Sequence, residues 1–390
     1  MSEKPALSVL FTEEENAFRE EVKAFAEKEI APHADEIERT ADYPREVLRE
    51  VGHAGYMGAM ISPEYGGTGK GMVHEMIIAE EISAVSPVVD VSRGVTSVYF
   101  APPIFKFGTD ELKKKYLPQI VRGDKIGAIG ITEPDVGSDT AGMKTQAVRD
   151  GDEYVITGEK RFITNGSQAD YILVFAVTDP SVKARKGMTA FVVETSWGGF
   201  SVVEDHGLMG MRGARVSHLK FDGVRVPATQ MVGEENKGFS VLMDELDTER
   251  TSLAAGAVGY SRAAFEIAIE HSVKRQQFGR EIRSFEGISF KIADMATKLD
   301  AARLLTLQAA RRIDKHLPAS RQGAMAKLFA TNAAQEITYE ALQVTGGEGY
   351  TKQNRTEQLA RDARLMTIGG GTAEIMRYLI QREVYRERGY

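Results

Sequence analysis

Residues able to do chemistry gather in a few stretches of this chain. Ile131-Thr132-Glu133-Pro134-Asp135-Val136-Gly137-Ser138-Asp139-Thr140 sets small hydroxyls beside unobstructed backbone N–H groups, and Lys160-Arg161-Phe162-Ile163-Thr164-Asn165-Gly166 adds an aromatic ring to a similar surface. A phosphate or an aromatic ring edge can approach such a main chain closely, so a bound dinucleotide is expected. In Lys274-Arg275-Gln276-Gln277-Phe278-Gly279-Arg280, Arg275 offers a charge-assisted fork for a phosphate and Phe278 an apolar face for adenine. Asp247-Thr248-Glu249-Arg250 places carboxylates and a guanidinium within one helical turn, and Asp90 stands among Val88, Val89 and Val91. Burying Asp90 there is costly unless it is paired or employed. Each stretch also has a plain reading: a Gly/Asp turn, a charged helix end with a Gly cap, an exposed Asp247–Arg250 pair, a surface Glu249, an Asp90–Arg93 ion pair at i, i+3.

Gly66-Gly67-Thr68-Gly69-Lys70-Gly71 imitates a phosphate loop. Glu64 holds the place of its first glycine and no Ser or Thr follows Lys70, so it reads as a turn.

The elements that must carry these residues change character along the 390 positions. Thr12 and Glu15 form a capping box, and Phe18, Val22, Phe25, Ala26 and Ile30 follow at helical spacing until Pro32. Further helices are expected around 43–60, 73–85 and 110–121, separated by Pro63-Glu64-Tyr65-Gly66-Gly67 and by Ala101-Pro102-Pro103. Between about 126 and 236 the pattern shortens to β-rich runs at 153–157, 171–177, 189–194 and 217–221, divided by Gly, Asp and Asn. After Gly238 helical periods return: Phe265, Ala268 and Ile269 share one face, as do Ile292, Met295, Leu299, Ala302 and Leu305. The expected fold class is α+β, with an N-terminal helical domain (1–125), a β-domain (126–236) and a C-terminal four-helix bundle (237–390).

Composition excludes several functions. A hydrophobic content of 42% suits a filled core, and a net charge of −7 with interspersed signs leaves no basic stripe for nucleic acid or membrane surfaces. The chain has no cysteine, so thiol chemistry and thiolate metal sites are ruled out, and its seven histidines show no His-x-x-x-His spacing. No metal is expected. The run from Tyr171 to Val177 is far too short to span a bilayer, and the first residues resemble neither a signal nor a transit peptide, so a cytoplasmic protein is expected.

The blocks at 131–140 and 160–166 resemble, in order and spacing, the flavin-contacting segments of the acyl-CoA dehydrogenases. So do Arg275-x-x-Phe278-Gly279, Gln343-Val344-Thr345-Gly346-Gly347 and Gly370-Gly371-Thr372-Ala373-Glu374, and the likeness runs over nearly the whole chain. It implies the α–β–α architecture and an FAD site. Ile129, Ile131 and Thr132 would lie along the flavin, Ser138 would reach the pyrophosphate, and Phe162 with Thr164 would cover the other side. Phe162 replaces the Trp of many members and loses its N–H. Arg275, Phe278, Gln343, Gly346, Gly347, Thr372 and Glu374 would grip FAD between subunits, which implies a homo-oligomer, usually a tetramer. Asp247 and Arg250 would lie along CoA.

Thioester dehydrogenation needs a carboxylate for the acidic α-proton. Most members supply it from a Tyr-Glu-Gly-Thr loop, yet here Gly370 holds that place. Glu249 matches the helix-borne base of isovaleryl- and long-chain-type members. Asp90 matches the aspartate used by members acting on alicyclic thioesters such as cyclohexene-carboxyl-CoA. The resemblance therefore implies an acyl-CoA dehydrogenase for a short, branched or alicyclic acyl group, passing electrons to an electron-transfer flavoprotein, with the base open between Glu249 and Asp90. A flavin oxidase or monooxygenase of the same fold is the alternative.

Overall fold

The computed structural model describes residues 9–390. Thr12 caps helix α1 (Glu13–Phe25): its hydroxyl accepts from the Glu15 N–H, while the Glu15 carboxylate accepts from the Thr12 N–H at 2.9 Å. The helix does not stop at Pro32. A π-helical stretch, Ala26–Ile30, leads into α2 (Ala31–Thr40), and Pro32 falls in the first turn of α2, where its missing N–H leaves no bond unmade. Similarly, Pro102 and Pro103 begin a helix instead of separating two. The chain runs through α3 (Arg45–His53), α4 (Met72–Val85), α5 (Pro87–Gly94), a second π stretch (Val95–Phe100), α6 (Ala101–Phe107) and α7 (Asp110–Val121).

The middle of the chain forms one eight-stranded sheet. Its strands are β1 (Gly127–Gly130), β2 (Gln146–Asp150), β3 (Glu153–Thr164), β4 (Tyr171–Val177), β5 (Met188–Glu194), β6 (Phe200–Asp205), β7 (Val216–Pro227) and β8 (Met231–Val232), with a short helix α8 (Ala184–Gly187) before β5. The order is β6-β7-β3-β2-β4-β5-β8, and β1 pairs in parallel with β4 from Gly127 opposite Tyr171 to Gly130 opposite Val174. Strand β4 is buried throughout, as its unbroken apolar run requires. Strands β1, β2, β6 and β8 were not expected. They are short or polar: β6 is largely exposed and β2 shows only Ala147 to the core.

Five helices close the chain: α9 (Gly238–Lys274), α10 (Glu286–Asp314), α11 (Ser320–Thr345), α12 (Arg355–Met366) and α13 (Ala373–Arg386). Between α9 and α10 a small hairpin, β9 (Gln276–Gln277) with β10 (Arg280–Glu281), turns at Phe278 and Gly279, both at positive φ. Met295, Leu299 and Ala302 are buried as their spacing implied, whereas Ile269 is partly exposed. Helices from both ends of the chain share one hydrophobic cluster, which includes Ile78, Ile82, Val88, Ala254, Val258, Leu299, Ile337 and Ala363.

Helix α4 is buried almost all round, and it carries three carboxylates into that interior. Each has a cation in reach. Arg93 holds Glu75 at 2.7 Å, Arg303 holds Glu80 at 2.9 Å, and Arg262 holds Glu81 at 2.6 Å, with Arg19 bridging Glu80 and Glu81. Five of these seven charges come from the N-terminal helices, and Arg262 and Arg303 come from α9 and α10, so the ion network fixes α4 against the C-terminal bundle.

A second buried pair sets the loop after β1. The Glu133 carboxylate accepts from the N–H groups of Lys144 (2.6 Å) and Thr145 (3.0 Å) and from Lys160 Nζ (2.9 Å), which also donates to the Ile131 carbonyl. Burial would raise Glu133, but Lys160, Thr145 and Lys144 hold it below the usual carboxylate range. Burial pushes Lys160 down to about 8 against the pull of Glu133. Replacing Lys160 by Met strands a buried anion, so the variant should lose about 3–5 kcal/mol in urea unfolding, and limited proteolysis should cut more readily within 131–144. A loss below about 1 kcal/mol would show that the backbone N–H groups suffice.

Candidate active site

A narrow cavity lies where α5, the second π stretch, α9 and α12 meet. Asp90, Val91, Tyr99, Ser252, Leu253, Tyr260 and Met366 line it, and it holds about 10 Å³, room for roughly one water molecule. The π turn matters here. By inserting a residue into the helical ladder it carries Tyr99 to this wall while Phe100 enters the core beside the sheet.

Asp90 is 8% exposed. Arg93 donates to its Oδ1 through Nη2 (2.8 Å) and Nε (3.3 Å), and reaches Glu75 with Nη1 and Nη2. The plain reading of Asp90 as an ion pair with Arg93 is therefore present, but inside the molecule and on a cavity wall. Its other oxygen, Oδ2, faces α9 at Gly256, where a Cβ would come within 2.8 Å of it. Burial pushes the Asp90 carboxyl up to about 7 despite the Arg93 charge, because Arg93 is shared with Glu75.

Glu249 is not on the surface. It is 7% exposed, on the buried side of α9. Across from it Gly370 stands at φ +63, and a Cβ built there would lie 2.8 Å from Glu249 Oε1 and 2.4 Å from Leu253 Cδ1. The Glu249 carboxylate thus occupies the space that a side chain at 370 would enter. Lys327 Nζ donates to the Gly369 carbonyl at 2.5 Å and also to that of Gly371, which fastens this loop from α11. Burial raises the Glu249 pKa, while Lys327, Arg250 and a hydrogen bond with Glu245 oppose the rise. Burial, and then the charges of Glu249, Glu245 and Asp90, raise the Tyr99 phenol well above its ordinary range.

Arg250 is buried too, so the surface reading of the Asp247–Arg250 pair fails. Nη1 of Arg250 meets Asp247 Oδ1 at 3.3 Å, and the Ser320 hydroxyl donates to the same oxygen at 2.8 Å. The Nε of Arg250 is buried without a partner.

The residues expected to meet FAD lie on two parts of the molecule. Ile129, Ile131, Thr132, Phe162 and Thr164 fall on adjoining segments, since the Arg161 N–H donates to the Thr132 carbonyl at 2.8 Å. A bulge interrupts the β3–β7 register between Lys160 and Ile163, and Phe162 takes φ +58. The extra residue breaks the in-out alternation and turns the Phe162 ring outward, 57% exposed, against His206 at 5.0 Å. Ser138 is exposed beside Gly137, where a Cβ would meet nothing within 4 Å.

In the helical region, Arg275 and Phe278 project on the β9–β10 hairpin, with Phe278 92% exposed. The turn holding Gly346 and Gly347, just after Gln343, lies near the base of that hairpin, since His271 approaches Glu348 at 3.8 Å. Thr372 caps α13 through the Ile375 N–H, and Glu374 is exposed in its first turn. An outward aromatic, an open glycine-rich backbone and an uncovered aromatic beside an arginine fit a large, flat, phosphate-bearing ligand. Within one chain the two groups stay on separate elements.

Glu245, Lys327, Tyr99 and Tyr260 were not singled out from sequence. Glu245 could have been, because it precedes Glu249 by one helical turn. Lys327 is 78 positions beyond Glu249 in sequence and no local pattern links them.

Models of the acyl-CoA dehydrogenase N-terminal, middle and C-terminal domains match residues 12–124, 128–224 and 236–385. The chain is 39% identical over 372–375 residues to several bacterial relatives, among them the short-chain-specific acyl-CoA dehydrogenase of Clostridium acetobutylicum (96% of this chain, 99% of that protein). It is 37% identical to the mitochondrial isovaleryl-CoA dehydrogenase of Solanum tuberosum (98% and 93% covered). It superposes with a TM-score of 0.94, at 37% identity over 96% of this chain and 99% of the other, on a chain from the structure described as the electron transferring flavoprotein of Acidaminococcus fermentans. With its N-terminal helices, middle sheet and C-terminal helices in this order, the chain belongs to the acyl-CoA dehydrogenase family of FAD-dependent oxidoreductases acting on CH–CH bonds.

Proposed function

We propose that this enzyme dehydrogenates a short, branched or alicyclic acyl-CoA with Glu249 as the base that removes the α-proton. The observation that carries the reading is the Glu249 carboxylate lying 2.8 Å from where a Cβ of residue 370 would be. A glycine in the loop leaves that space free, and a helix-borne carboxylate fills it. Burial raises the pKa of Glu249 toward the working range of a general base, and Lys327 and Arg250 keep its charged form accessible.

FAD, bound by Ile129, Ile131, Thr132, Ser138, Phe162 and Thr164 with Arg275, Phe278, Gln343, Gly346, Gly347, Thr372 and Glu374, supplies the hydride acceptor. Asp247 and Arg250 lie toward the CoA portion, where the unpartnered Arg250 Nε has a hydrogen bond to give. Electrons leave to an electron-transfer flavoprotein, a reading supported by the structural likeness to a chain described under that name. A homo-oligomer, as a tetramer, is supported by the uncovered Phe278 and by a groove among Leu305, Met325, Leu328, Phe329 and Ile380.

A second reading, 1,4-dehydrogenation of a cyclohexene-carboxyl thioester with Asp90 as base, is favoured by Asp90 Oδ2. That oxygen is not engaged by Arg93, Asp90 lines the cavity, and burial has brought the carboxyl to about 7. A plain hydrocarbon chain would offer nothing for the desolvation of this group.

Glu249→Gln should retain FAD absorbance and lose about 10²- to 10⁴-fold in anaerobic flavin bleaching by acyl-CoAs. Wild-type bleaching in that variant would remove Glu249 from the chemistry. Arg275→Ala should release FAD more readily on dilution, read as loss of the yellow colour on gel filtration. Across a substrate panel, Asp90→Asn should selectively lose bleaching by cyclohexene- or cyclohexane-carboxyl-CoA. If Asp90 is the base there, the wild-type rate should rise with pH through about 7, as its carboxyl ionises. Butyryl-CoA as best substrate with a silent Asp90→Asn would leave Asp90 as the partner of Arg93 alone.

A further inference from the structure

Helix α9 carries a second buried carboxyl that the chemistry above does not use. Glu245 precedes Glu249 by one helical turn on the same side of α9 and is 1% exposed. Apart from Glu249, neither of its oxygens meets a hydrogen-bonding group. Two carboxylates in contact inside a protein cannot both stay ionised; one keeps a proton and hydrogen bonds to the other. The surroundings decide which.

Glu249 faces Lys327 from α11 and Arg250 from its own helix, both of which favour its charged form. Glu245 also faces Arg250, but it has Asp244 beside it and no lysine, and Tyr99 from the second π stretch stands near both carboxyls and near Asp90. Burial drives Glu245 far above the usual carboxylate range, and the contact with Glu249 adds to this.

We propose that Glu245 carries the shared proton and donates it in a hydrogen bond to the Glu249 carboxylate, acting as a positioning residue for the base. This rests on the assignment of Glu249 as base. The arrangement answers a specific difficulty. A base set on a helix is fixed in place but deeply desolvated, and a neutral donor one turn away stabilises its charge without adding a counterion that would bind it permanently. When Glu249 takes the α-proton, both carboxyls are neutral, so the transfer separates no new charge between them.

The test uses the FAD-loaded enzyme. In Glu245→Leu the donor is gone, so the acidic limb of kcat/KM against pH should move to higher pH by about one unit or more. Glu245→Gln keeps an N–H donor and should leave that limb close to wild type. At pH 8, the infrared difference between wild type and Glu245→Gln should show loss of a protonated carboxyl carbonyl band, a readout independent of turnover. FAD content and the unfolding midpoint check that each variant is folded. Limbs that coincide in all three proteins, a limb that moves to lower pH in Glu245→Leu, or an unchanged infrared band would each overturn the proposal. Glu249→Gln serves as control: full turnover there would overturn the base assignment, and the positioning role with it, while an inactive Glu249→Gln beside an unshifted Glu245→Leu would overturn the positioning role alone.

Discussion

A carboxylate removed from water must be met by charge, by hydrogen-bond donors or by a proton, and this enzyme uses all three around one pair of helices. On α4, Glu75, Glu80 and Glu81 are met by arginines from α1, α5, α9 and α10. Such networks contribute little net stability compared with apolar packing of the same volume. Their effect here is register. Because each guanidinium must find its carboxylate inside a dry interior, α4, α5 and α9 have only one way to sit together, and that arrangement sets the walls of the cavity.

Arg93 shows how the framework reaches the site. It is fully buried and divides its donors among Asp90, Glu75 and the Ser97 hydroxyl. A cation shared in this way does not fully neutralise either acid. Asp90 is therefore held in position by an ion pair and still raised to about 7, a combination that an unshared Arg–Asp pair would not give. The same logic runs through Glu249, where Lys327 spends its hydrogen bonds on the carbonyls of the 369–371 loop and acts on the carboxylate by charge alone.

Much of this was legible in the sequence where a local rule decided the outcome. The capping box at Thr12, the buried strand at Tyr171–Val177 and the helix over Asp110–Val121 follow from caps and periodicity. Proline misled at Pro32 and Pro102, because a missing N–H ends a helix only when the ladder needs that bond, and a π turn or a helix start removes the need. Strand β6 was missed because its exposed face carries no period, and its place is fixed by pairing with β7. At the site, Gly370 and Glu249 could be read as a missing and a substitute carboxylate, but their sharing of one volume is a contact across 121 positions. Lys327 lies beyond any spacing argument for the same reason, whereas Tyr260 follows Glu249 and Leu253 on the same helical face and was within reach of one.

Gly370 in the loop and Glu249 on the helix share one volume, and that constrains the rest of the site. Glu249 is held on a 37-residue helix. In the loop at 369–371, Gly370 takes a positive φ that a side chain would strain, and a Cβ there would also press on both Leu253 and Glu249. Lys327 holds the carbonyls on either side of Gly370, so the cation whose charge acts on Glu249 also fixes the glycine that leaves it room. Position 370, the charge on Lys327 and the carboxylate on α9 are therefore one constraint. A side chain at 370 would have to adopt a strained positive φ and push aside the ends of Leu253 and Glu249, so a carboxylate there would come directly against the one on α9.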